Sequence, residues 1–104
     1  MRNVYMKYFS LEKLLDENGV VTRCPKKFGQ RLSVVAYVGQ FFESDRVYTE
    51  LEINDIIRSK IAFSDYVLVR RELVDFGFLT RSADCREYRR AAELPTVESI
   101  LAKF

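Results

Sequence analysis

Histidine is absent from the 104 residues. The usual general base at neutral pH and the commonest metal ligand are therefore both missing, which removes Ser-His and Cys-His nucleophile pairs and His-carboxylate metal sites from a single chain. Carboxylate chemistry remains open, yet no two acids stand at a spacing that marks a catalytic pair, so a non-enzymatic protein without a cofactor is expected. Cysteine is scarce as well. Cys24 and Cys85 are far apart and form no C-x-x-C spacing, so both are expected as free thiols, and a structural zinc site would need two further ligands that only carboxylates could supply. Long apolar runs are lacking too. The longest is Val34 to Val38, far short of a bilayer span. The start, Met1 to Lys7, has no apolar stretch of the kind a secretory signal requires. A cytoplasmic protein without a membrane partner is expected. There is no linker rich in glycine, serine or proline, no repeat and no low-complexity tract.

What is present suits one small globular domain. Apolar residues make up 48% and charged residues 31%, a balance that can supply a core and does not resemble a disordered tail. A chain of this length folds as a single domain, here 1–104. The net charge of +2 is too small to argue from, but its distribution is uneven. Arg23, Lys26, Lys27 and Arg31 form a stretch without acids. Between Glu43 and Asp55 five acids face one base, Arg46. Between Phe78 and Ala92, Arg81, Arg86, Arg89 and Arg90 outnumber Asp84 and Glu87. Two basic stretches flanking an acidic one permit contact with nucleic acid on selected faces.

The apolar spacing and capping residues give an order of elements. A first helix is expected over 11–17, with Ser10 as N-cap and Phe9 against Leu14 as a staple, stopped by Asn18-Gly19. Val20 to Cys24 reads as extended before Pro25. A second helix is expected over 26–42, its stripe of Phe28, Leu32, Val35 and Phe42 widened by Val34, Val38 and Phe41 to pack on two sides. Val47-Tyr48 is long enough only for a single extended bridge. Thr49 followed by Glu52 is a capping box with a Tyr48–Ile53 staple, and predicts a third helix over 50–60. Ser64 or Asp65 caps a fourth helix over 66–76, ended by Gly77 in the left-handed conformation. Its core stripe is Tyr66, Val69, Leu73 and Phe76, with Leu68, Arg71, Glu72 and Asp75 opposite. Phe78–Arg81 and Glu87–Arg90 read as a strand pair around the turn 82–86. Pro95-Thr96 opens a terminal helix over 97–103.

This order is that of an α+β winged helix-turn-helix: a three-helix core over about 26–91 with a C-terminal β-hairpin wing, plus short N- and C-terminal helices. The run Leu68-Val69-Arg70-Arg71-Glu72-Leu73 with Asp75 and Gly77, preceded by Tyr48-Thr49-Glu50 and Glu52-Ile53-Asn54 and followed by Arg86-Glu87-Tyr88-Arg89-Arg90, resembles a bacterial family of domains of unknown function. Members of that family occur alone or behind an ArsR-type helix-turn-helix and are described as transcriptional regulators. The resemblance implies the fold over about 26–91 and a regulatory role, and carries no established binding residues. One feature departs from it: the wing turn of such proteins typically holds Asp-Gly, where this chain has Asp84-Cys85, so a strained or different turn is expected.

The candidate DNA contacts are Lys26, Lys27, Arg31, Arg70, Arg71, Arg86, Arg89 and Arg90. Arg70 and Arg71 stand on the recognition-position helix, where arginine reads guanine edges or grips phosphate. Against this, Glu72 and Asp75 lie close by, Arg71 to Asp75 is an i,i+4 pair, and acids repel phosphate. On the wing, alternation puts Arg86, Tyr88 and Arg90 on one face and Glu87 and Arg89 on the other. Arginines there either grip phosphate or keep an edge strand from aggregating. Lys26, Lys27 and Arg31 sit at a helix start, where cations do not serve helix stability and so either meet phosphate or are simply solvated. Cys85 beside Arg86 fits a redox-sensing thiol or an idle one. The six tyrosines and eight phenylalanines fit a core better than a stacking platform for single strands. The expected function is a DNA-binding winged-helix regulator, paired as a homodimer through the apolar segments Tyr5–Leu15 and Val97–Phe104. The alternative is a winged-helix module that binds a protein or a small effector and no nucleic acid.

Overall fold

The computed structural model describes residues 11–103. The expected Ser10 cap, the Phe9 staple, the segment from Tyr5 to Ser10 and Phe104 lie outside the described residues. The fold is α+β: a 3-10 turn at Leu11–Lys13, then α1 (Phe28–Gly39), β1 (Val47–Tyr48), α2 (Glu50–Lys60), α3 (Tyr66–Asp75), β2 (Leu79–Arg81), β3 (Tyr88–Arg90) and α4 (Val97–Leu101).

The helix expected over 11–17 shrinks to that first turn. The Asp16 carboxylate accepts from the Asn18 and Val20 amides at 2.8 and 2.9 Å, a local turn that competes with helical hydrogen bonding. The chain then doubles back, so that Leu15 bridges to Val21. Of the extended stretch expected at Val20–Cys24, Val21 alone makes bridges, the second to Ile61. Its amide donates to the Lys60 carbonyl and its carbonyl accepts from the Ala62 amide, which fastens the N-terminal segment to the end of α2.

α1 is the central element. It begins two residues later than expected because Lys27 is extended and serves as N-cap without a side-chain hydrogen bond. It ends at Gly39, where an added Cβ would lie 3.1 Å from the Phe78 ring and 3.3 Å from Leu73. Every residue from Leu32 to Gly39 is buried, the mark of a helix covered on all sides. Beyond it Phe42 is buried, but Phe41 is exposed and does not widen the core stripe. Lys60 lies over its ring at 4.1 Å instead.

α2 begins where the capping box places it and ends, as expected, at Lys60, whose carbonyl accepts from the Val21 amide. Thr49 Oγ1 accepts from the Glu52 amide at 3.2 Å, and the Thr49 amide donates to Glu52 Oε1 at 2.9 Å. Tyr48 and Ile53 are both fully buried. Asp65 caps α3 by accepting from the Leu68 amide. At its other end Gly77 has φ +89°, and the Phe78 amide donates to Leu73 while the Gly77 amide donates to Val74. That pair of bonds is a Schellman closure, which needs a left-handed residue at Gly77.

β2 and β3 form the expected hairpin, and Val47-Tyr48 adds to it as a third strand rather than a lone bridge. The antiparallel order is β1-β3-β2, with Tyr48 opposite Tyr88 and Val47 opposite Arg89. In the turn Asp84 accepts from Ser82 Oγ and from the Arg86 amide. Cys85 takes φ +62°, the one non-glycine residue in the left-handed region among the described residues, as the loss of Asp-Gly led one to expect.

One contiguous core runs from Leu11 and Leu14 through α1, Tyr48, Ile53, Ile57, Leu73, Phe78 and Tyr88 to Val97 and Ile100. Leu11, Leu14, Val97 and Ile100 of the terminal segments are thus buried against their own chain, while Glu12, Lys13, Glu98 and Ser99 are exposed. α4 stops at Leu101, two residues short of expectation, after a cap in which Thr96 and Ser99 exchange hydrogen bonds. Among the described residues no helix is long and apolar enough to cross a membrane.

Candidate nucleic-acid interface

The eight basic residues singled out by the sequence fall into two groups. Three are turned into the molecule. Arg31 Nε donates to Glu72 Oε1 at 2.7 Å. The Glu72 side chain is only 10% exposed, so this ion pair locks α1 to α3 and neutralises an otherwise buried charge. Arg70 Nη1 donates to Asn54 Oδ1 at 2.6 Å, and its Nε lies 3.8 Å from Glu50 Oε1. Arg90 Nη1 donates to the Phe42 carbonyl at 3.0 Å. These three guanidiniums hold elements together.

The other five point outward. Arg86 and Arg89 are 85% and 60% exposed, with Asp84 at 3.9 Å and Glu87 at 3.6 Å. Exposed pairs at such distances are loose. Arg71 is exposed and has no ion pair among the described residues; the i,i+4 pair with Asp75 is not formed. Lys26 and Lys27 are exposed beside Arg23 at the edge of a hollow of about 360 Å³ that also involves Leu14, Pro25 and Gln30.

The two faces of the hairpin are unequal. Tyr88 is fully buried, and its hydroxyl donates to Glu50 Oε1 at 3.0 Å. The face that carries Tyr88 and Arg90 therefore looks into the molecule. Burial first, and then the Glu50 carboxylate, push the Tyr88 phenol up. Arg89 lies on the outer face, in register with Val47 and Thr80. Arg81, left out of the candidates although it belongs to the same basic stretch, is exposed at the end of β2 and stands opposite Tyr88. Arg81 thus shares the face of Tyr88 and approaches its phenol, and of the exposed hairpin arginines Arg81, Arg86 and Arg89 it is Arg89 that stands on the outer strand face.

The acids near α3 also separate. Glu72, expected on the outward side, is buried at 8% exposure because Arg31 compensates its charge. Asp75 stays outside. Of the two thiols, Cys85 is exposed and Cys24 half-buried; burial raises the pKa of Cys24 above the ordinary thiol value, which disfavours its thiolate.

No curated protein and no solved structure matches the chain. A family model does match, over residues 20–90, a stretch that takes in α1, the sheet, α2 and α3. The chain belongs to the family described as "Uncharacterized protein conserved in bacteria (DUF2087)".

Proposed function

We propose that this chain is a winged helix-turn-helix module that binds double-stranded DNA through its phosphate backbone and acts in transcriptional regulation. The succession α1-β1-α2-α3-β2-β3, with the sheet order β1-β3-β2, supports the winged-helix reading, in which α2 and α3 are the helix-turn-helix and β2-β3 the wing. The observation that carries the nucleic-acid reading is the exposure of Arg81, Arg86 and Arg89 on the hairpin, while Arg31, Arg70 and Arg90 are held inside. Exposed arginines on a protruding hairpin suit phosphate or minor-groove contact and carry little sequence information. Lys26 and Lys27 would extend the contact. The lack of histidine accords with a binding role rather than a catalytic one.

The test is fluorescence anisotropy with a mixed-sequence duplex across a salt series, for the intact protein and for Arg81, Arg86 and Arg89 changed together to Ala. Binding that weakens steeply with salt, with the log–log slope falling by about 2 to 3 in the triple variant, is expected. No binding at low salt would remove the reading. A second reading, a module that binds protein, is favoured by the outer face of α3, which sets Val67 beside Arg71 and Asp75 and offers no net positive charge to a phosphate backbone.

A further inference from the structure

Four large apolar residues are exposed among the described residues, and two of them, Leu51 at 74% and Val67 at 39%, belong to the two helices of the helix-turn-helix. Their placement follows from the contacts between those helices. Arg70 of α3 reaches Asn54 and Glu50 near the start of α2, and Arg58, one turn beyond Asn54, lies over the Tyr66 ring at the start of α3. The helices therefore run antiparallel along a seam. In an α-helix each residue advances about 100°. Taking Asn54 and Arg70 as the seam positions, Leu51 on α2 and Val67 and Val74 on α3 are displaced by similar angles in the same rotational sense. For two right-handed helices packed antiparallel, equal displacements emerge on the same side of the seam. Leu51 and Val67 thus share one surface, at whose edge Val74 is half-buried against the core.

The charges around it are of both signs. Arg71 and Asp75 occupy the middle of the outward arc of α3, one turn apart, and Asp55 is exposed on the outward side of α2. Neither Arg71 nor Asp75 has an ion pair among the described residues. A nucleic-acid face needs one sign of charge. A face that carries both, one turn apart on one helix, complements itself: about a two-fold axis the α3 helices of two chains pack antiparallel, and Arg71 of each meets Asp75 of the other.

We infer that the outer α2–α3 surface is an isologous interface with a second copy of this chain, its apolar contacts being Leu51 and Val67 with the exposed edge of Val74, and its register set by two reciprocal Arg71–Asp75 pairs. The inference is independent of any contact with nucleic acid. The two helices are short, so the contact belongs to the small class of interfaces and its dimer is concentration-dependent.

Sedimentation velocity over a concentration series of the intact protein tests it, with far-UV circular dichroism confirming that each variant is folded. The intact protein is expected to pass from monomer to dimer as its concentration rises through about 10 to 100 µM. Val67→Glu and Leu51→Glu, both at exposed positions, are each expected to weaken association by about tenfold or more. Arg71→Asp is expected to abolish dimers, and Arg71→Asp combined with Asp75→Arg to restore them, because the exchanged charges again complement each other across the axis. A monomer at every concentration up to about 1 mM would overturn the proposal. So would a dimer indifferent to Val67→Glu and Arg71→Asp, or one that the charge exchange fails to restore.

Discussion

Arginine illustrates at the scale of single residues how far a side chain's role depends on what folding brings beside it. Arg31 and Arg86 each stand in a basic stretch of the sequence. One meets a carboxylate 41 positions away, buried and in need of a cation, and the other meets solvent. Because Glu72 is buried, removing Arg31 leaves a charge without a partner. Arg31→Ala is expected to lower unfolding stability by about 2 kcal/mol in urea titration, while leaving the salt dependence of DNA binding as it was. Arg86→Ala is expected to do the reverse. An equal loss of salt dependence in Arg31→Ala would place this residue on the interface after all. None of this partition was legible in the sequence, since the partners of Arg31, Arg70 and Arg90 lie 16 to 48 residues away. Glu72 was misplaced on the outward side for the same reason.

Local information governs the elements, and the elements that carry it were legible. The Thr49–Glu52 box and the Gly77 closure each involve atoms a few residues apart, so the start of α2 and the stop of α3 follow from the sequence. Where the expectation failed, a competing local bond or a distant partner intervened. Asp16 folds residues 16–20 into a turn and cuts the first helix short. Val47-Tyr48 becomes a strand only because β3, some 40 residues on, supplies its hydrogen bonds. The capping box also predicts a pH dependence. The Glu52 carboxyl is held below its ordinary value, first by the Thr49 amide and then by Arg46. A carboxyl lowered in the folded state contributes stability that is present above its unfolded pKa, about 4.3, and is lost as pH falls through the folded value. Thr49→Ala is expected to cost about 1 kcal/mol at neutral pH. Glu52→Gln is expected to flatten the acid limb of stability below about pH 4, and an unchanged limb in that variant would show that the box contributes nothing to it.

Taken whole, the molecule divides its surface by charge. The hairpin displays Arg81, Arg86 and Arg89, and the start of α1 displays Lys26 and Lys27, whereas the α2–α3 face carries apolar residues with balanced charges. The element order and the family could be read from the sequence, but not which faces remain available, because that depends on which side chains the core and the helix seams consume. The terminal segments show this most clearly: they read as a pairing surface, and of their apolar residues Leu11, Leu14, Val97 and Ile100 are buried in the chain's own core. The hairpin and the start of α1, not α3, are proposed to meet the phosphate backbone. Amide resonances of the labelled protein, followed by two-dimensional NMR as a DNA duplex is added, test it most directly. Shifts concentrated in residues 81–89 together with Lys26 and Lys27, with Val67, Arg71 and Val74 unmoved, are the predicted result. Shifts centred on α3, or none at all at low salt, would contradict it.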